Sequence, residues 1–422
     1  IKDPADMGKP SAAAAINFSA VSTSLAFKVG MSGATPENPI KFHVDFGNGT
    51  LSEFSADTNL MPSEDNVVGK RAGATTTIYV PEGVQLTALG MDGLRVLSMD
   101  LDQASALQDL RVTNGRLPAV SLAWNANLSN LDLSGNYLSE IDLTGANGLF
   151  AKNRLTSLNL SGNHLESFVY ETAPFEVLDL SDNYLEEVGM TKLASVRRLD
   201  LSGNHLTAVD LRDCEALEEA DFSDNELAEI TLLDYNPLTR LDLSGNRFSF
   251  AALPAVGRVA DYVYAPQKEV VLPEKAPVIS LASYLFDDEG ANTCFEWKMA
   301  DETSAAVPDG EIRAADGRFF FENPDLGVVY CEMTHPSFPQ FAGENALKTT
   351  AVQTAPMPTS VFASYTPAAD GTMELVLAGK TAGMAVYVDW TGLGDFEQLM
   401  LAETYRNFSG PALAGNTARF YS

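Results

Sequence analysis

Cysteine is nearly absent: Cys214, Cys294 and Cys331 are the only three in 422 residues. So sparse and odd a set builds no disulfide framework. There is no Cys-x-x-Cys pair and no Cys/His cluster, which excludes a structural zinc site. Histidine is almost as scarce, with four residues. Positive charge is in deficit, with 27 Lys and Arg against 57 Asp and Glu, a formal net charge of −30. That balance excludes nucleic acid and an anionic membrane as partners, because both need a positive face. It favours basic or neutral partners. No apolar run approaches the roughly 20 residues of a membrane span. Catalytic signatures are missing as well: no Gly-x-Ser-x-Gly, no His-Glu-x-x-His and no phosphate loop. His335 has no nucleophile beside it in the sequence. The carboxylates are many, but they form a ladder rather than an isolated pair in contrasting surroundings. The chain therefore reads as a non-enzymatic protein with no cofactor and no metal. Apolar residues make up 45%, enough for packed cores, and the length suggests about three domains.

What is present is repetition. The string LDLSGN or a close variant begins at Leu131, Leu158, Leu178, Leu199, Ala220 and Leu241. Its Asn falls at 136, 163, 183, 204, 225 and 246, with spacings of 27, 20, 21, 21 and 21. The full unit, LxxLxLxxNxLxxIxLxxNxx, resembles the leucine-rich repeat with a 21-residue period. The phase continues upstream through Gly115 and Leu94, where Leu86, Leu89, Met91, Val96, Met99 and Leu101 keep the apolar positions. About eight units are expected over residues 86–258. The first two are degenerate, as terminal units of an array tend to be. An insertion falls near Ala146–Arg154. Each LxL should be a short strand of a shared parallel sheet, with the residues between the leucines pointing outward. The Asn marks the turn out of that strand, where its amide can pair buried main-chain groups of adjacent coils. The second half of each unit should be extended or 3₁₀ structure rather than a long helix.

The flanks read as β modules, so the fold class is mainly β. Residues 1–15 are expected to be an N-terminal linker from which any export signal has been removed. Residues 16–85 form a capping module with strands near Ile16–Phe18, Leu25–Val29, Ile40–Val44 and Thr75–Val80, and an Asn-Gly turn at Asn48–Gly49. Residues 358–422 look like a second copy of it. Both contain a strand ending in Val-Asp-aromatic, at Val44–Phe46 and Val388–Trp390. The first copy leads into the array; the second stops where an array would begin, which leaves open whether the native chain continues. Residues 259–357 suggest a small β-sandwich. In it, Trp297 and the stretch Asp325–Cys331 resemble the strand-C Trp and the strand-F motif of immunoglobulin domains. Val329 stands where that motif has Tyr. A Cys294–Cys331 disulfide and two separate thiols both remain open.

Taken together, the repeat consensus, the V-D-aromatic-G-N-G module and the YVYAPQ, FEWK and VYCEMT segments resemble internalin-like, surface leucine-rich repeat proteins of Bacteroidetes-type gut bacteria. The resemblance implies an exported protein, often an outer-membrane lipoprotein, whose array binds a protein. Internalins carry a helical cap; this chain has a β module there. A host surface protein is among the partners the resemblance suggests, and a monomer is expected.

Two columns of residues are candidates for partner binding. On the concave face, the residue between the leucines is Asp132, Asn159, Asp179, Asp200, Asp221 and Asp242, followed by a Ser column from Ser134 to Ser244. Strands about 4.8 Å apart bring these charges into repulsion of roughly 1 kcal/mol per pair in water. Water, the Ser column and Arg198 or Arg240 could offset it; so could a basic peptide or a cation. The second column follows the Asn along the rim: Tyr137, His164, Tyr184, His205, Glu226 and Arg247. Exposed Tyr, His and Arg suit recognition. His164 and His205, two coils apart, are too distant to share a metal ion. Asp45 with Asn48 and Asp389 with Asp395 are weak calcium candidates and better read as turn acceptors. Adhesion through the solenoid is the first functional expectation. A structural stalk, and glycan binding on a β module with Trp390 as the ring to test, are the alternatives.

Overall fold

The molecule, a computed structural model, is described over residues 11–19, 22–143, 154–170, 174–233, 237–255, 257, 259–288, 290–356, 361–366, 371–377, 385–390, 396–400, 406–412 and 416–421. The insertion near Ala146–Arg154 and Asp395 lie outside the described residues, apart from Arg154 itself. The chain divides into two compact units, Ile1–Asn246 with Pro254–Tyr264, and Arg247–Leu253 with Ala265–Ser422.

Alternation of apolar and polar residues builds the first module. Its strands are β1 (Ser11–Phe18), β2 (Ser24–Met31), β3 (Ile40–Asp45), β4 (Leu51–Ala56), β5 (Val67–Lys70) and β6 (Thr75–Val80). Every second residue points inward, so Ile16, Leu25, Phe27, Phe42, Val44 and Ile78 are fully buried. β1 starts at Ser11, inside the stretch expected to be linker. Alanine is a poor strand former on its own, but Ala12 and Ala14 pair with Tyr79 and Ile78 across a bulge. Tertiary pairing overrides propensity there.

The array follows. β7 (Leu86–Asp92) and β8 (Val96–Asp100) make the first coil. The concave sheet then runs through β9 (Asp109–Thr113), β10 (Asn130–Asp132), β11 (Ser157–Asn159), β12 (Val177–Asp179), β13 (Arg198–Asp200), β15 (Glu219–Asp221), β17 (Arg240–Asp242) and β18 (Asp261–Val263). All pair in parallel and in one register: Leu131 faces Leu158, Leu158 faces Leu178, and Leu178 faces Leu199. Eight coils at about the 21-residue period are present, as the spacing predicts. β18 adds a further rung past residue 258, the boundary read from the sequence, because Tyr262 still pairs with Leu241. In the second halves of the coils, β14 (Ala208–Asp210) and β16 (Glu229–Thr231) form a small parallel ladder. No α-helix occurs among the described residues, and no helix is long and apolar enough to cross a membrane.

The first module and the array share one sheet. β2 pairs antiparallel with β7 on one edge and with β5 on the other. β1 likewise pairs with both β6 and β8. The module thus satisfies the open edge of the first coil, which would otherwise template pairing with other chains.

The second unit holds a two-sheet domain. Its strands are β19 (Lys275–Ala276), β20 (Val278–Ser280), β21 (Asp287–Asp288), β22 (Ala291–Asn292), β23 (Cys294–Met299), β24 (Ile312–Ala315), β25 (Arg318–Phe321), β26 (Val328–Thr334), β27 (Leu347–Lys348) and β28 (Val352–Thr354). One sheet has β26 at its centre and the other is β20-β25-β24. Trp297 packs edge-on against Phe319 and Phe321, each at 5.3 Å. Cys331 sits opposite Trp297 and is buried, whereas Cys294 is opposite Thr334 and exposed. The two thiols are separate, and burial pushes the Cys331 thiol up. Strands β29 (Val361–Tyr365), β30 (Gly371–Leu377), β31 (Ala385–Asp389), β32 (Phe396–Met400), β33 (Arg406–Ala412) and β34 (Ala418–Tyr421) complete the unit.

Candidate binding surface

The surface of the solenoid is set by its buried amides. Each repeat Asn lies inside the turn that follows its strand. The Asn183 side-chain nitrogen donates to the carbonyls of Leu160, Leu180 and Ser181, all at 3.0 Å, and its oxygen accepts from the Leu165 amide at 3.0 Å. Asn204 repeats this one coil on, to Leu180, Leu201 and Ser202, and accepts from Leu185. One side chain thus satisfies main-chain groups of two coils that burial would otherwise leave unpaired. The Asn column is structural and fixes the coil spacing. Two further buried amides escaped sequence reading. Asn125 is buried at another corner and donates to Leu101 and Ala104. Gln267 accepts from the Phe248 amide at 3.0 Å; it falls 267 − 246 = 21 residues after Asn246, so spacing was the available signal.

The αL position of the same turn is held by Asn, Asp or Gly, with glycine in two successive coils at Gly135 and Gly162. Asn114, Asp182 and Asp224 have φ of 53°, 52° and 54°, and the next coil carries Gly135, Gly203 and Gly245 at 65–67°. A Cβ on each of those glycines would fall onto the side-chain oxygen of the Asn or Asp one coil before. The larger residue therefore occupies space that only glycine leaves open.

The concave column has a local function that its composition did not reveal. In each coil the carboxylate or amide oxygen binds the Ser two residues on, through both amide and hydroxyl. Asp179 holds Ser181 at 3.0 and 2.7 Å, and Asp200 holds Ser202 at 3.0 and 2.6 Å. Asp132, Asp221 and Asp242 do the same with Ser134, Ser223 and Ser244. Asn159 does so with Ser161 at 2.9 and 2.8 Å, so the bond needs an oxygen acceptor and not a charge. The charges are offset unevenly. Arg240 reaches Asp221 at 3.5 Å and Asp242 at 3.9 Å, whereas Arg198 turns to Glu219 at 3.4 Å. A concavity of about 300 Å³ lies over Asp179, Asp200 and Asp221, bordered by Arg198, Glu219 and Arg240.

Asp200 shows the cost of this arrangement. Burial raises its carboxyl above the usual range; the Ser202 bonds oppose that, and Asp179 and Asp221 add to it. A carboxyl raised in the folded state favours folding when protonated. Its charge therefore lowers stability above the raised value, and that penalty vanishes as pH falls below the unfolded value of about 3.9. Asp200→Asn is expected to raise the urea midpoint at neutral pH, and the gain should fade to nothing near pH 3 to 4. Equal midpoints at neutral pH would contradict this.

On the rim, four side chains from successive coils form a ring stack. Tyr137 and His164 have centroids 5.3 Å apart with the rings tilted by 53°, His164 and Tyr184 stack at 5.8 Å and 14°, and Tyr184 and His205 at 6.1 Å and 20°. The Arg116 guanidinium lies 5.7 Å from the Tyr137 ring centre and caps the stack. Tyr137 and Tyr184 remain 47% and 48% exposed, and both histidines are exposed. Because Tyr184 lies between them in the stack, the two histidines do not meet. Glu226 is half-buried in the following coil, and Arg247 opens a segment that groups with the second unit.

The remaining candidates resolve into structure. Asp45 accepts from the amides of Gly47, Asn48 and Gly49 at 2.7, 3.0 and 3.1 Å, closing its turn. Trp390 is 3% exposed and meets Phe420 edge-on at 5.9 Å; it offers no free ring face to a sugar. His335 is buried, with Nε2 at 3.2 and 3.1 Å from the carbonyls of Phe286 and Ala291, and Nδ1 accepting from Ser337. Among the described residues, no group of three His, Cys, Asp or Glu is placed to hold a metal.

No family model matches the sequence, and no curated protein matches it. Among solved structures, the chain is similar to an LRR protein of Leptospira interrogans, with 20% identity and a TM-score of 0.35 over 43% of this chain and 49% of that one. It is also similar to the functional domain of InlJ from Listeria monocytogenes, which includes a cysteine ladder, with 15% identity and a TM-score of 0.33 over 61% of this chain and 64% of that one. The chain thus spans about half of the first and under two thirds of the second.

Proposed function

We propose that this chain is an exported, non-enzymatic recognition protein, displayed at a bacterial cell surface as a lipoprotein or released, whose solenoid holds a protein partner as a monomer. The observation that carries this reading is the exposed ring stack Tyr137–His164–Tyr184–His205. Rings held against one another lose little rotamer freedom on binding, so they present large contact area at low entropic cost. His164, Tyr184 and His205 turn their faces to one another and Tyr137 leans on His164 at 53°, which leaves edges, phenol hydroxyls and imidazole nitrogens for a partner. Exposed Glu140, Glu166, Glu186 and Glu187 follow the rings in sequence within two or three residues. Together with the half-buried concave aspartates they favour a partner with a basic contact surface.

The test is capture of candidate surface proteins by the intact chain, identification of a saturable partner, and titration of that purified partner. A four-ring variant (Tyr137, His164, Tyr184 and His205 to Ser) is expected to bind at least tenfold more weakly, with Arg116 left in place. Asp179, Asp200 and Asp221 to Asn tests the concave charge alone, since the Asn159 coil shows that an amide keeps the Ser bond. A stalk that merely displays another element would bind no partner through either surface, and all variants would behave as the parent does.

A further inference from the structure

The last six strands repeat the pairing of the first six. In the first module, β1 pairs with β6, β3 with β4 and β6, and β2 with β5. In the last, β29 pairs with β34, β31 with β32 and β34, and β30 with β33. The correspondence extends to single residues. The bulge between Ala12 and Ala14 opposite Tyr79 and Ile78 recurs between Val361 and Ala363 opposite Tyr421 and Phe420. Leu25 faces Gly69 as Met373 faces Gly410. A Cβ on Gly69 would enter the Phe46 ring, and one on Gly410 would enter the Trp390 ring. Thr75 bonds Asn17 as Thr417 bonds Thr366. Such agreement in register, bulge and close approach fixes Ile16 as the counterpart of Tyr365.

The two modules differ in what lies on their outer edges. β1 carries β8, with Ile16 opposite Met99, and β2 carries β7, with Val29 opposite Leu89. β29 ends its sheet and β30 has only β33 beside it, among the described residues. Ile16 is fully buried, whereas Tyr365 is 56% exposed and its neighbours Ser364 and Thr366 are exposed. An open edge with an uncovered aromatic is a template for strand addition.

We infer that strands β29–β34 form a second array cap, and that the outer edges of β29 and β30 take up, by β-strand addition, an extended apolar hairpin with the pattern of the first coil, Leu86–Asp100, belonging to a leucine-rich array other than the one this chain already caps. The occupant is defined by the first module: β7 is buried along all but its last residue, and β8 buries Val96 and Met99. Its strands run antiparallel to the edges they meet. The inference is independent of what the solenoid recognises.

The probe is a synthetic peptide of residues 84–100 added to the intact chain, with a scrambled peptide as control. The expected result is saturable binding with slowed amide exchange at 361–366 and 371–377, and no slowing at β1 or β2, whose edges are already filled. Tyr365→Asp, at an exposed position that tolerates substitution, should weaken binding at least tenfold without moving the thermal midpoint. No binding, protection elsewhere, or equal binding by the scrambled peptide or by the Tyr365→Asp chain would overturn the inference.

Discussion

Asn204→Leu is expected to cost at least about 3 kcal/mol, enough to unravel the array around its coil under conditions where the parent is folded. Leucine keeps the branched shape of the side chain, but its methyls are bulkier than the amide they replace, so crowding adds to the main loss. The loss comes from three buried main-chain groups: the Leu185 amide and the Leu180 and Leu201 carbonyls lose the partner that Asn204 provides. Each buried, unpaired group costs about 1–3 kcal/mol. Domain stabilities are commonly about 5–15 kcal/mol, so one substitution removes a large share. Coils are stabilised by their neighbours, so the damage should spread along the array and leave the 265–356 sheets folded. Urea unfolding followed by amide exchange checks this. A shift below about 1 kcal/mol would mean that the freed groups find other partners.

Gly69→Ala is expected to lose about 2–3 kcal/mol, because the added methyl would fall within the Phe46 ring. The φ of Gly69 lies outside the left-handed region, so the effect is steric crowding and not φ strain. Phe46 is 7% exposed and T-stacked on Phe54 at 6.0 Å. Phe46→Ala alone should cost about 3 kcal/mol or more through its cavity. The double variant should lose less than the two singles combined, because the clash disappears when the ring does. Additive losses would show that Gly69 and Phe46 do not share the space assigned to them.

The periodic part of the molecule was legible in the sequence because each coil repeats one solution. Leucine spacing gave the parallel rungs, the Asn spacing gave the buried ladder, and the column after it gave Tyr137, His164, Tyr184 and His205. That these rings stack was not legible, since it depends on the lateral register of the coils. Nor was the bond from Asp to Ser two residues on, although both columns were visible. They read as neighbours on a charged face, and only the Asn159 coil shows that the acceptor matters more than the charge. Gln267 was missed because a one-methylene change hides it from the repeat consensus. The merging of β2 into the array sheet depends on pairing between residues about 60 apart, such as Val29 and Leu89, and no local pattern encodes it. Ala12–Ala15 were misread as linker for the same reason: their partners supply the bulk.

The central claim is that the solenoid surface recognises a protein. The most direct measurement is amide exchange and cross-linking of the intact chain with its captured, purified partner. The account predicts slowed exchange and cross-links in the coils from Tyr137 to Glu226, on the rim and the concave strands. Protection confined to residues 16–85, or to the strands after residue 265, with the solenoid unchanged, would contradict it.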